Sequence, residues 1–273
     1  MNALLLLLLS LLPTATRADS AFLRGIQVLS KKADSANHEY SAVYTQYSGA
    51  EKTAVYWSSP LEGNAFNAQI PHLTEAEFRA RVSETRARSI LLCIFHTHPA
   101  NWPQEISKLD KEEIKSRGWE EYLRFLPTGM KSIPPGGGDS MVELGYAQSM
   151  EELMPGIKAR DQLGVIDASG VWYYSHYKAA EQSSAERIFL ASLQKDSELA
   201  AKAKAMQRFS NPLDLLDAVR KPWMLHVNRA EVSLEATLAS PWYAFLRYGY
   251  AKAGIRLDFV SRSRVSNSAP CTP

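Results

Sequence analysis

Two histidines one residue apart, His96 and His98, close an apolar run, Ile90-Leu91-Leu92-Cys93-Ile94-Phe95, and are followed by Pro99. A continuous apolar run of this length suits a central strand covered on both faces. Side chains i and i+2 of a strand leave the same face. His96 and His98 can therefore reach one metal ion together, at the roughly 2.0–2.1 Å of a zinc–nitrogen bond. Pro99 has no N–H for a further ladder bond and tends to end the strand, which puts the pair at its tip. A catalytic zinc takes three protein ligands and keeps one position open for water. The third must be another histidine, a carboxylate or a thiolate. Asp139 is well placed, since it follows Gly136-Gly137-Gly138 on a loop that could fold over the strand end. Taken alone, the pair fits equally one histidine in the core and one in solvent.

Several elements must position these groups. Residues 19–38 have helical character and turn near Asp34 to Asn37. Tyr40 to Tyr47 and Thr53 to Ser58, rich in Val, Tyr, Trp and Thr, predict a hairpin turning through Ser48-Gly49-Ala50-Glu51. Thr74 with Glu77 three residues on is a capping box, and it predicts an amphipathic helix over Leu73 to Arg88 that leads into the apolar strand. Glu105 to Phe125 is charged and helical. Pro134 to Asp139 is a loop without the Lys and Ser/Thr of a phosphate-binding motif. Ser140 to Leu153 reads as a helix. Leu163 to Asp167 and Gly170 to Tyr177 form a second hairpin, in which Trp172, Tyr173 and Tyr174 are expected to be core on one side. From Lys178 the chain is mainly helical. Asn211 and Ser240, each before a proline, mark two helix starts, Gly254 a helix end, and Ile255 to Val260 a last strand. The aromatic cluster Trp242, Tyr243, Phe245, Tyr248 and Tyr250 is expected to pack between helices. The expected fold is α/β, a mixed sheet flanked by helices with a helical C-terminal extension.

The segments His38-Glu39-Tyr40-Ser41, His96-Thr97-His98-Pro99 and Pro135-Gly136-Gly137-Gly138-Asp139 follow one another in a distinctive order. In that order they resemble the JAB/MPN/JAMM zinc metalloproteases. More narrowly, they are similar to the JAB-like domains attached to bacterial toxin and secretion-system proteins. The likeness covers roughly residues 36–177 and implies a cytidine-deaminase-like core. It implies zinc on His96, His98 and Asp139, with the pKa of the metal's water lowered towards about 7. Glu39 would accept that water's proton and pass it to the leaving nitrogen. By residue type alone, Glu39 is a surface carboxylate at a strand start.

Two departures from the family pattern stand out. Gly136 occupies the position of a serine that donates to the tetrahedral oxyanion, and loss of one such donor costs roughly 10²–10³ in rate. Ser132, Ser140 or the backbone N–H groups of Gly137 and Gly138 are the candidate substitutes. The charged segment 100–132 also separates His98 from Asp139 far more widely than the family does, either as a lid or substrate rest or as a surface helix. The expected function is a zinc hydrolase cleaving a peptide or isopeptide bond, with cell-wall peptide or a partner protein as substrate. The alternative is a non-catalytic binding or accessory module of a secretion or toxin system. A third reading is a structural zinc closed by a fourth protein ligand. Cys93 is the nearest thiol, but three residues before His96 it faces the other way.

The 273-residue chain carries a formal net charge of +2 and is 45% hydrophobic, which gives no indication of nucleic-acid binding. Leu4 to Leu9 is unbroken leucine. The apolar stretch is too short to span a membrane, and with Pro13, Thr16 and Ala18 it reads as a secretory signal cut before Asp19. The expected product is a periplasmic or secreted protein without a membrane span. The expected organisation is signal 1–18, metallohydrolase domain 19–177 with 100–132 inserted, and C-terminal extension 178–273. Cys93 is expected as a buried small hydrophobe, unpaired with Cys271.

Overall fold

The computed structural model describes residues 15–72, 74–100, 105–106, 108–116, 120, 145–177, 179–194, 196–229 and 233–265. Helix α1, Ala15–Ser35, places Phe22, Ile26, Leu29 and Ala33 on one stripe, all essentially inaccessible to solvent. The stripe lies on the sheet, with Phe22 edge-on to Tyr44 at 5.3 Å and against Phe95 at 5.8 Å. Each such large side chain contributes about 1.5–3 kcal/mol by leaving water. The signal cut expected before Asp19 falls within α1, upstream of this stripe.

The hairpin of β1, Tyr40–Gly49, and β2, Thr53–Trp57, forms as expected, in the register Ser48↔Thr53 to Tyr44↔Trp57. A short strand β3, Leu61–Glu62, pairs with the start of β1. Thr74 caps helix α2, Glu75–Thr85, through the capping box foreseen from its spacing with Glu77. The long apolar strand β4, Ala87–Thr97, follows. A short helix α3, Lys111–Ser116, lies in the charged segment, and helix α4, Tyr146–Leu153, covers the described part of the helix expected from Ser140. Strands β5, Lys158–Ile166, and β6, Gly170–His176, make the second hairpin, with β5 starting earlier than its apolar part indicates.

The C-terminal part comprises α5 (Ala179–Leu193), α6 (Ser197–Met206), α7 (Pro212–Arg229), α8 (Leu234–Leu238), α9 (Pro241–Lys252) and β7 (Ile255–Ser261). Asn211 caps α7 by accepting from the Leu213 N–H. The sheet is mixed and seven-stranded. Its order is β2-β1-β4-β5-β6-β7, with β3 also on β1, and only β4 and β5 pair in parallel among the described strands. No described helix is long and apolar enough to cross a membrane.

Alternation sorts the strands onto two apolar layers. Tyr44, Cys93, Phe95 and Tyr173 face α1. Val43, Leu92, Ile94, Leu163, Trp172 and Tyr174 face the other helices. Tyr173 is therefore buried opposite to Trp172 and Tyr174, and β6 is core on both sides rather than one. The reason is coverage: α1 lies over one face, and α7 with α9 lies over the other.

The segment from residue 178, expected as an extension, shares this core. β7 pairs with β6 along its whole length, from Gly170↔Ser261 to His176↔Ile255. Val219, Trp223, Phe245 and Tyr250 join Trp172 and Tyr174 in one cluster. The late aromatics pack as expected, with Phe189 stacked on Tyr248 at 4.0 Å.

Candidate functional site

The site is built at one end of the sheet's centre, where β1 begins and β4 and β5 end. Ser41 of β1 pairs with His96 of β4, and Val165 of β5 lies on the other side of His96. His96 has the parity of Ile90, Leu92 and Ile94, so its side chain leaves the face turned away from α1. His98 continues that parity. Its N–H donates to the Ile166 carbonyl at 2.8 Å, holding it in line with the strand past the end of β4. The two imidazoles stand with ring centres 5.2 Å apart and planes inclined at 50°.

Glu39 stands one residue before β1. Its N–H donates to the Asn64 carbonyl, and its carbonyl accepts from the Gly63 N–H, both at 2.8 Å, so the backbone runs on as an extended edge before Tyr40. The Tyr40 N–H donates to Thr97 Oγ1 at 2.9 Å, which pins this edge between the two histidines. Counting back from Ser41↔His96, Glu39 falls across from His98 on the same face. Exposure is 5% for Glu39, 1% for His96 and 6% for His98. Glu39 is thus buried, not the surface carboxylate its residue type suggests, and residues 63–69 run alongside this strand start. There, Ser41 Oγ donates to the Gln69 carbonyl.

His38 lies in solvent, its Nδ1 2.7 Å from Glu62 Oε1 in an exposed pair. The His38 hydrogen bond holds the Glu62 carboxyl below its usual range, with the Tyr40 hydroxyl adding to the effect. In return, the bond to Glu62 pushes the Tyr40 phenol up.

One further acid lies at this end of the sheet. Asp167 follows Ile166, the partner of Thr97, and so continues the β4–β5 register beside His98. It is 2% exposed. Its Oδ1 accepts from the N–H groups of Ser169 and Gly170, at 2.7 and 2.9 Å, and its Oδ2 accepts from Trp172 Nε1 at 2.8 Å. Asp167 ends the strand expected from Leu163, but its position next to His98 is not legible in the sequence. Two strands far apart in the chain meet here in parallel, and no local signal announces that pairing.

Two imidazoles on one tetrahedral zinc, each at about 2.0–2.1 Å, have ring centres roughly 5 Å apart. The observed separation fits that geometry, so His96 and His98 suit two of the three ligand positions. Asp139, the expected third ligand, lies outside the described residues. So do Ser132, Gly136, Gly137, Gly138 and Ser140. Among the described residues, no three His, Cys, Asp or Glu side chains gather closely enough to hold a metal by themselves. Cys93 is fully buried in the layer against α1, on the opposite face from the imidazoles.

The fold and this strand end define a mixed-sheet α/β protein that carries a buried His-x-His pair beside a buried glutamate. Compared with known proteins, the chain matches no family model, no curated protein and no solved structure.

Proposed function

We propose that this strand end is the centre of a zinc-dependent hydrolase of the JAB/MPN/JAMM type, which cleaves a peptide or isopeptide bond. The observation that carries the reading is the burial of Glu39, His96 and His98 on one sheet face. Taking a carboxylate and two imidazoles out of water is costly unless a partner or a task requires it. The cytidine-deaminase-like arrangement belongs to the same proposal, and the central mixed sheet with helices on both faces is compatible with it.

Zinc, if held by His96, His98 and Asp139, would supply Lewis-acid polarisation of the scissile carbonyl and a water acidic enough to react at neutral pH. Glu39 takes the proton of the attacking water and delivers it to the leaving nitrogen. The Thr97–Tyr40 bond keeps the Glu39 edge in register with the histidines. Backbone N–H groups of Gly137 and Gly138, or the hydroxyls of Ser132 and Ser140, stand in for the serine replaced by Gly136. Substrates in keeping with an exported protein are cell-wall cross-link peptides or a partner protein.

Metal analysis of purified protein, followed by peptide hydrolysis with wild type and Glu39→Gln, tests the reading. The expected result is about one zinc per chain in both, with cleavage only in the wild type. Zinc without Glu39-dependent cleavage of any amide would favour the second reading, a non-catalytic accessory module, which Gly136 in place of the family's serine supports.

A further inference from the structure

On the face that carries Ser41 and His96, the sheet runs on into an apolar cavity of about 310 Å³. Its floor is Val43, Leu92 and Ile94, and its walls include Ile70, Phe78 and Met150. The volume lies at the lower end of the roughly 300–1,000 Å³ of ligand pockets, enough for one large side chain and not for a whole peptide. Val43 is two residues beyond Ser41, and Ile94 is two residues before His96. The floor therefore starts one same-face step from the candidate centre, about 6.6–6.8 Å along the strand. Alternate side chains of an extended peptide repeat at that same step.

We infer that this cavity is the subsite for an apolar side chain of the substrate, leucine- to phenylalanine-sized, next to the cleaved amide. The inference rests on the hydrolase reading for its place in a reaction, but the cavity's binding chemistry can be measured without turnover. The lining explains the choice of occupant. The floor is aliphatic, and a polar or charged side chain set against Val43, Leu92 and Ile94 would lose water without gaining a partner there, although His72, Tyr146 and Ser149 add polar atoms elsewhere in the lining. Glu75, at the exposed rim, is already held by Arg79 Nε at 2.6 Å. Met150 and Met154 are unbranched and adapt their shape, so the subsite accepts Leu, Met and Phe alike. Leu153, 45% exposed at the mouth, is the point at which entry can be altered without touching the core.

The test uses the full chain as the Glu39→Gln variant, labelled with ¹³C at the methionine methyls and titrated with N-acetyl-leucinamide or N-acetyl-aspartamide. Saturable shifts of the Met150 and Met154 signals are expected with the leucine probe alone. In wild type, peptides with Leu beside the cleaved bond should exceed their Ala counterparts by about tenfold or more in kcat/KM. Leu153→Glu should shrink that ratio while leaving the thermal midpoint in place. Absence of the methyl shifts, or equal cleavage of Leu and Ala peptides, overturns the subsite whatever the zinc result. Methyl shifts in a protein that takes up no zinc and cleaves nothing support the cavity as an apolar-ligand site and overturn the hydrolase reading instead.

Discussion

Ser41 of β1 stands directly across the antiparallel ladder from His96 of β4. This one pairing aligns the strand start that carries Glu39 with the strand end that carries His98. A slip of one residue would turn Glu39 to the α1 face, away from both imidazoles. The register is fixed from both sides. Val43 and Ile94 pack into one apolar layer, while Ala42 and Phe95 pack into the other.

If His96 and His98 are ligands, zinc stabilises the folded chain. At about 100 times its dissociation constant, the ion adds about 2.7 kcal/mol. For a chain of this size that is a rise of roughly 5–10 °C in Tm. A thermal melt with and without a chelator should show this rise in wild type and none in His96→Ala. An equal rise in both proteins would place the metal elsewhere.

Asp167 organises the turn beside His98, and three donors lose their acceptor in Asp167→Ala. At about 1 kcal/mol or more for each donor left unsatisfied, the expected loss is about 3 kcal/mol or more by urea unfolding. Asp167→Asn keeps one carbonyl acceptor and should lose less. A loss below about 1 kcal/mol for Asp167→Ala would show that the three bonds add little.

Gly164 of β5 lies against the ring of Phe95, and a Cβ placed there would overlap Phe95 Cδ1 and Cε1. Phe95 is fully buried among the rings of Phe22, Trp57 and Tyr173, so it can give way only by displacing them. Gly164→Ala should cost about 1–3 kcal/mol from overpacking, visible as a lower urea midpoint. Gly164→Ala combined with Phe95→Leu should recover part of the loss, since the clash and its relief share one site.

His226 stacks on Trp242 with ring centres 4.8 Å apart and planes inclined by 7°. Burial lowers its pKa from the usual 6.5, outweighing the opposite pull of Asp196. The folded chain then binds fewer protons here than the unfolded chain once pH drops below that value. This contribution to stability is present above about pH 6.5 and is lost as pH falls towards the folded pKa. His226→Phe keeps a stacked ring and removes the titration. Between about pH 7.5 and 5.5, wild type should lose more stability than His226→Phe in parallel denaturant melts. Equal slopes would rule this histidine out as a source of pH dependence.

Local chemistry was enough for much of this molecule. The Thr74–Glu77 spacing announced α2, the unbroken apolar run announced β4, and the i, i+2 parity of His96 and His98 put both imidazoles on one face opposite Cys93. Helix starts at Asn211 and Ser240 were legible because proline suits the first helical turn. These features depend on a few consecutive residues and on periods of 2 and 3.6.

Other features depend on pairings between distant segments, which no local period encodes. The burial of Glu39 is set by segments distant in sequence that pack on the start of β1. The neighbourhood of Asp167 and His98 comes from the parallel β4–β5 contact, and the double-sided burial of Tyr173 and Trp172 comes from helices on both faces. The inclusion of β7 in the sheet joins the C-terminal helices to the same core. The residue types and their order determined which side chains could do metal chemistry. Only the tertiary structure decided that Glu39 and the two histidines share one buried end of the sheet, since strand register and helix coverage are set by packing across the whole chain.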